Sequence, residues 1–289
     1  MDRKARMFAS GARTTVEANR ELCSWVLDPL ARWAQAAYGD RAFEDAARGY
    51  ARYCLGVAKA QQAYEQAGAY APQALTDVVS EVYEDEGYMV PYMWAAILIY
   101  PFWPSMVNHI SLYRNDFLKA LPPNGKVLEL ASGHGVLSLL AAEDRADLQF
   151  EGVDISPPAV AVANRILDAS GHAGRVKFAV EDVMALGTEN QGRKYQGIVA
   201  AMLAEHLVDP RPLFQSISRL LAEDGLVFFS TALESAQKDH IYEYNNESEP
   251  LRMAEEVGLR VTRLVSDASA PLPGTRFLPR AVAMILRRR

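Results

Sequence analysis

The sequence predicts an α/β fold: a parallel sheet with helices on both faces, preceded by a helical cap. Three observations lead there. From Lys126 onward, short apolar runs alternate with stretches of helical periodicity, the β-α-β pattern of a parallel sheet. Before about Leu121, apolar residues recur only at helical spacing. Just inside the second region, Gly133-His134-Gly135 ends one strand and opens a helix. The chain therefore divides into residues 1–121, a helical N-terminal cap, and 122–289, the sheet domain.

In the cap, Val16, Leu22, Trp25, Val26 and Leu30 mark one helical face, and Tyr50, Tyr53, Leu55 and Val57 another. Pro29, Pro72, Pro91 and the Pro101/Pro104 pair punctuate these helices. Residues 106–120 read as a helix leading into the sheet domain. Strands are expected over 126–131, 148–154, 176–180, 195–202, 226–230, 259–265 and 277–286. Helices are expected over 134–142, 157–169, 212–222 and 250–257. Pro157 stands near a helix start, where its missing N–H costs least. Asp224-Gly225 reads as a turn, and Gly258 ends the last helix. In such a sheet, ligands bind beyond the carboxyl ends of the strands.

Composition narrows the function. Of 289 residues, 50% are hydrophobic and 23% charged, which excludes a disordered or fibrous chain. A net charge of −6 gives no general attraction to a phosphate backbone or an anionic membrane, so a small-molecule partner is favoured over nucleic acid. Cys23 and Cys54 read as buried, reduced thiols of a cytoplasmic protein. Five scattered histidines and two cysteines show no metal-ligand spacing, so no metal is expected. No signal segment follows Met1-Asp2-Arg3. The apolar stretch 88–104 is long enough to suggest a membrane span, but Pro91, Pro101 and Pro104 argue against one. The terminal Arg287-Arg288-Arg289 reads as a solvated tail. A homodimer stays open.

The sharpest signal is Val127-Leu-Glu129-Leu-Ala131-Ser-Gly133-His-Gly135. Gly133 and Gly135 let backbone approach a ligand, and the helix start offers free N–H groups. Asp154 ends the second strand, where a carboxylate can accept both hydroxyls of a ribose. Glu181-Asp182 follows the third strand. A nicotinamide-dinucleotide site would want a third glycine, and none follows Gly135. These residues resemble the class I S-adenosylmethionine-dependent methyltransferases, whose sheet is Rossmann-like. The resemblance covers Lys126 to about Arg289. It implies Glu129 near the methionine moiety, Gly133 and Gly135 along the cofactor, Asp154 on the ribose and Asp182 on the adenine amino group. Ala131, Ile155 and Val183 come with them as cofactor-binding positions. The stretch Tyr195 to Pro210, with Glu205-His206, is similar to the family's fourth-strand segment. Two departures stand out. Ala131 replaces a frequent first glycine, and Gln196 replaces a frequent aspartate.

Aromatic density peaks just before the sheet domain, and aromatic faces attract a sulfonium cation by about 0.5–2 kcal/mol. Tyr88, Tyr92, Trp103, His109 and Tyr113 are the cap residues expected near substrate. Glu205, His206 and His240 are the expected catalytic residues, with His206 placed as a general base. His134 stands inside the glycine turn, facing solvent or ligand. Three activities fit. The first is methyl transfer from S-adenosylmethionine to a small molecule, releasing S-adenosylhomocysteine. The second breaks the bond at the γ-carbon, giving methylthioadenosine with azetidine-2-carboxylate, as azetidine-2-carboxylate synthases do, or aminocarboxypropyl transfer. The third is a non-catalytic cofactor-binding subunit.

Overall fold

The computed structural model describes residues 3–71, 74–188, 192–268 and 275–289. Met1-Asp2 and Pro72, read above as the chain start and a helix boundary, lie outside them. The cap comprises α1 (Arg3–Ala18), α2 (Arg20–Tyr38), α3 (Ala42–Ala67), α4 (Leu75–Val78), α5 (Glu86–Phe102) and α6 (Pro104–Leu112). Wide π-helical turns follow over Val79–Tyr83 and Tyr113–Leu118. The second of these carries the helix expected over 106–120 to its end.

Helix α5 explains the apolar stretch. Met89, Met93, Trp94, Ile97, Leu98 and Ile99 are all buried, because α1, α2, α3, α6 and α8 (Pro157–Ser170) surround it. A helix apolar on every side is the centre of a bundle. Among the described residues, no helix is long and apolar enough to cross a membrane. The prolines do not punctuate as expected. Pro29, Pro91 and Pro101 lie inside α2 and α5, and of the described cap prolines named above only Pro104 starts a helix. Pro91 cannot donate to the Gly87 carbonyl, and Arg52 Nη1 from α3 reaches that oxygen at 3.5 Å instead.

The sheet domain follows with β1 (Lys126–Leu130), α7 (Val136–Asp144), β2 (Gln149–Asp154), α8, β3 (Val176–Val180), α9 (Val183–Thr188) and β4 (Tyr195–Ala201). It ends with α10 (Arg211–Leu220), β5 (Leu221–Leu233), α11 (Ser248–Glu256), β6 (Leu259–Ala268) and β7 (Arg280–Arg288). The strand order is β3-β2-β1-β4-β5-β7-β6. Strands β1 to β5 are parallel, while β7 runs antiparallel between β5 and β6. The parallel expectation thus holds except at β7, which follows β6 after 11 residues, at the lower edge of the dozen or so that a parallel crossover needs. Helix α9 was not expected, and α7 begins at Val136 rather than His134. Asp224-Gly225 is a bulge within β5, where the register with β4 shifts. The site-facing elements otherwise fall where the periodicity placed them.

Alternate strand residues feed two cores. Val127, Phe150, Phe178, Val199 and Phe228 face the cap, α7 and α8 in one continuous cluster. Leu128, Leu130, Ile198, Phe229 and Met284 face α10 and α11 in the other. The cap is thus welded to one face of the sheet. Cys23 and Cys54 are free and buried.

Phe178 sets the spacing beneath the glycine turn. A Cβ on Gly152 would lie 2.5 Å from Phe178 Cδ1 and 2.9 Å from Ser132 Cβ, and one on Gly135 would overlap the same ring. The two glycines leave space for a phenyl ring of the protein itself. We expect Gly152→Ala to cost about 1–3 kcal/mol, read as a lowered Tm, and Phe178→Leu in the same chain to recover part of it. Equal Tm for Gly152→Ala and the parent would refute this.

Candidate functional site

Chain order reverses between β1 and β4, and the crevice this opens lies beyond the carboxyl ends of the strands. A cavity of about 250 Å³ occupies it. Its floor comes from the ends of β1, β2 and β4. Its roof comes from the cap, through Tyr53, Tyr83, Met89, Tyr92, Met93 and Tyr100.

The ends of β1 and β4 both leave ordinary backbone. Ala131 has φ 52° and Met202 has φ 52°, each followed by chain that lines the cavity. A side chain in this left-handed region costs about 1–2 kcal/mol, and such strain concentrates at functional sites. Ala131 therefore carries a conformation that the glycine of the resembling family adopts freely.

Asp154 organises the first end of the cavity. Its Oδ2 accepts the Gly133 N–H at 2.8 Å and its Oδ1 accepts the Ser156 N–H at 2.8 Å. Burial raises its pKa, against the pull of those two donors. Ser156 caps α8 by accepting the Ala159 N–H, and its hydroxyl donates to the Tyr83 carbonyl at 2.6 Å. That bond ties the roof to the floor. Glu129 accepts the Ser138 N–H at 3.2 Å and the Ser138 hydroxyl, at the amino end of α7, where a carboxylate is favoured. Burial pushes its pKa up to about 7. His134 does not face solvent. It is buried, lines the cavity, and accepts the Val136 N–H on Nδ1 at 3.0 Å, with its pKa driven down to about 3 by burial. Ile155, Asp182 and Val183 lie along the same end, with Ile155 47% exposed.

The second end gathers Glu205, His206, Asp239 and His240. Backbone pairing brings them together, because the Ile241 and Tyr242 N–H groups both donate to the Glu205 carbonyl, at 2.8 and 3.0 Å. Glu205 is fully buried. Thr231 Oγ1 donates to its Oε2 at 2.8 Å, and its Oε1 has no partner among the described residues. The His206 and His240 rings stand perpendicular with centroids 4.9 Å apart. Burial opposes charge on His206, but Asp239 and Glu205 outweigh it and raise its pKa. His240 is pushed down to about 4 by burial and by the neighbouring His206.

The structure thus brings Glu129, Ala131, Gly133, Asp154, Ile155, Asp182, Val183, Tyr92, Glu205, His206 and His240 to one cavity. It places others elsewhere. Gly135 lies behind the turn, against Phe178. Tyr113 is in the core, stacked on Phe117, with its hydroxyl donating to the Leu137 carbonyl. His109 is fully buried on α6, which lies against β6 and β7. Trp103 faces α3, donating from Nε1 to the Tyr50 hydroxyl at 3.0 Å. Tyr88 lies in an outer groove, under Arg52 and Lys238. For these four the helix face decided, which aromatic density alone could not reveal. Gln196 is at the opposite end of β4, where its Oε1 accepts the Lys126 N–H. Sequence reasoning missed Tyr53, Tyr83 and Met93. Their signal was the same periodicity that marked core.

A family model described as a methyltransferase domain matches residues 106–263. A ubiquinone biosynthesis O-methyltransferase of Nitrosomonas europaea is 35% identical over 116 residues, 40% of this chain and 47% of that protein. The protein of the same name from Actinobacillus pleuropneumoniae is 32% identical over 107 residues, 37% of this chain and 45% of the relative. The chain spans about half the length of the curated relatives it matches. The solved mitomycin 7-O-methyltransferase MmcR superposes with a TM-score of 0.59 at 14% identity, covering 85% of this chain and 71% of that one. The [4+2]-cyclase SpnF superposes at 0.53 with 15% identity, covering 79% and 96%. These two likenesses are of fold.

Glu129 makes a stability test. Its folded pKa of about 7 lies above the ordinary 4.5. The stability its neutral form contributes is therefore complete below about pH 4.5 and lost as pH rises through 7. We expect the ligand-free protein to lose more Tm between those limits than Glu129→Gln does. Parallel Tm–pH curves would show that Glu129 does not titrate there.

Proposed function

The chain belongs to the methyltransferase-domain family, within the class I S-adenosylmethionine-dependent methyltransferases, and on that premise we propose that it methylates a hydroxyl oxygen of a small, largely apolar acceptor. One observation carries the reading. The cavity is lined by five carboxylates, Glu129, Asp154, Asp182, Glu205 and Asp239, and by no lysine or arginine among the described residues. Such a cavity favours a cation. S-adenosylmethionine carries a sulfonium and an ammonium against one carboxylate, so it is cationic at neutral pH. The faces of tyrosines in the roof suit the sulfonium.

The residues fit the cofactor in detail. Each Asp154 oxygen accepts one backbone N–H and keeps a lone pair for a ribose hydroxyl. Asp182 stands for the adenine amino group, with Ile155 and Val183 as apolar surfaces for the ring. Glu129 faces the ammonium. Residues 122–289 would bind the cofactor and 1–121 would close over it. Two buried free thiols suit a cytoplasmic setting.

The cofactor supplies an activated methyl carbon. The protein aligns the acceptor and excludes water, which is most of what this displacement requires. The acceptor oxygen lies at the Glu205–His206–Asp239–His240 end. Its lone pair forms the new bond to carbon, the C–S bond breaks, and sulfur keeps the electron pair. The hydroxyl proton passes to the polar cluster. The O-methyltransferase names of the relatives, and the apolar roof of Met89, Met93 and Tyr92, support a phenolic or similar acceptor.

Two measurements test this. In binding titrations, Asp154→Ala should weaken S-adenosylmethionine at least about tenfold, the loss expected for a charge-assisted hydrogen-bond pair. Affinity should also fall as pH drops below 7, because a cation prefers ionised Glu129, and Glu129→Gln should flatten that slope. In mass spectrometry with a panel of phenols and catechols, S-adenosylhomocysteine should form. Bound cofactor with no turnover across the panel would sink the hydroxyl reading. Methylthioadenosine from cofactor alone would move the chemistry to the γ-carbon.

A further inference from the structure

We propose that Glu205, His206 and His240 hold a first-row divalent cation at the acceptor end of the cavity. One nitrogen of each ring and one carboxylate oxygen lie within 4.8 Å of one another. Around a single ion with bonds of about 2.1 Å, tetrahedral ligand atoms sit about 3.4 Å apart. The cluster spans up to 4.8 Å, so a bound ion would draw its three ligand atoms together.

The orientation of the rings is the stronger argument. His206 Nδ1 is 2.9 Å from the Asp239 carbonyl, and His240 Nδ1 is 2.7 Å from the Ser235 carbonyl. A carbonyl only accepts, so both Nδ1 atoms carry the proton. In the neutral ring that leaves each Nε2 as a lone pair, with no partner among the described residues. A backbone carbonyl fixing the tautomer of a metal-binding histidine is the usual outer-shell arrangement.

The carboxylate is oriented in the same manner. Thr231 holds Glu205 Oε2, and Oε1 is buried with no partner. Asp239 Oδ2 makes no hydrogen bond but pairs with His206 at 3.5 Å, so it adds negative charge beside that ring. The buried, unpartnered Glu205 Oε1 is costly unless a cation meets it, and no lysine or arginine lines the cavity among the described residues. Two imidazoles and one carboxylate, with positions left open, suit zinc or ferrous iron. Sequence spacing could not announce this set, because Glu205-His206 and His240 come from different loops. An acceptor oxygen would complete the ion's coordination and become more acidic. That last role rests on the methyl-transfer reading, whereas metal binding does not.

The test uses the full chain, stripped by chelator and titrated with Co²⁺ while its visible d–d absorption is followed. One equivalent should bind, and Glu205→Gln and His240→Gln should each weaken binding at least about tenfold. His240→Cys should keep the metal and add a thiolate-to-cobalt charge-transfer band, a signature that a merely structural histidine would not produce. Zn²⁺ content by elemental analysis checks the stoichiometry. The same samples are titrated with S-adenosylmethionine. No cobalt binding by a protein that binds the cofactor overturns the metal site alone. Undiminished binding in folded Glu205→Gln and His240→Gln overturns it as well. Cobalt binding without cofactor binding upholds the site and overturns the methyl-transfer reading.

Discussion

Much of this structure hangs on the carboxylate of Asp154. It ends β2, accepts the Gly133 N–H from the turn after β1, and accepts the Ser156 N–H at the start of α8. Two strand ends and a helix start are thereby held at fixed spacing by one buried charge. Through the Ser156 hydroxyl, the same group is one step from the Tyr83 carbonyl in the cap. A ligand that takes the remaining lone pairs of Asp154 is read at once by the glycine turn and by the roof. Floor and roof also share a hydrophobic cluster, so cap and sheet act as one piece in packing. Their polar link is local and sits at the cavity.

Phe178 plays the apolar counterpart. Its ring fills the space that Gly135 and Gly152 leave open, so the turn is supported from beneath by β3. The sequence reading assigned Gly133 and Gly135 to close approach by a ligand. Gly133 does line the cavity, but Gly135 is constrained by the protein's own interior. Motif glycines thus divide between facing the ligand and keeping the turn low against the sheet.

The strands, the glycine turn and Asp154 were legible because each depends on local pattern. A short apolar run, a turn of Gly-His-Gly and an acid at a strand end are all written within a few positions. The cap residues were less legible. Tyr92 and Tyr113 look alike in sequence, yet one lines the cavity and the other lies beneath α7, because helical phase relative to the sheet is a tertiary property. The prolines misled for a related reason. Pro91 is tolerated in α5 because Arg52 comes near the carbonyl it orphans. The Glu205–His206–His240 cluster was half legible. Its first two members adjoin, but its third arrives through backbone pairing of residues 241–242 with Glu205.

The acidity of the cavity has a consequence for the end of the catalytic cycle. In the proposed reaction S-adenosylmethionine loses its sulfonium charge on giving up the methyl group, while the acidic lining of the cavity stays in place. The field that draws in the charged cofactor has much less hold on the spent, neutral thioether. On that reading, product departure is favoured electrostatically. The same field opposes charge loss at sulfur during the reaction, so the acceptor must bring compensating negative character of its own. An ionisable hydroxyl brings it more readily than a neutral carbon or an alkyl alcohol.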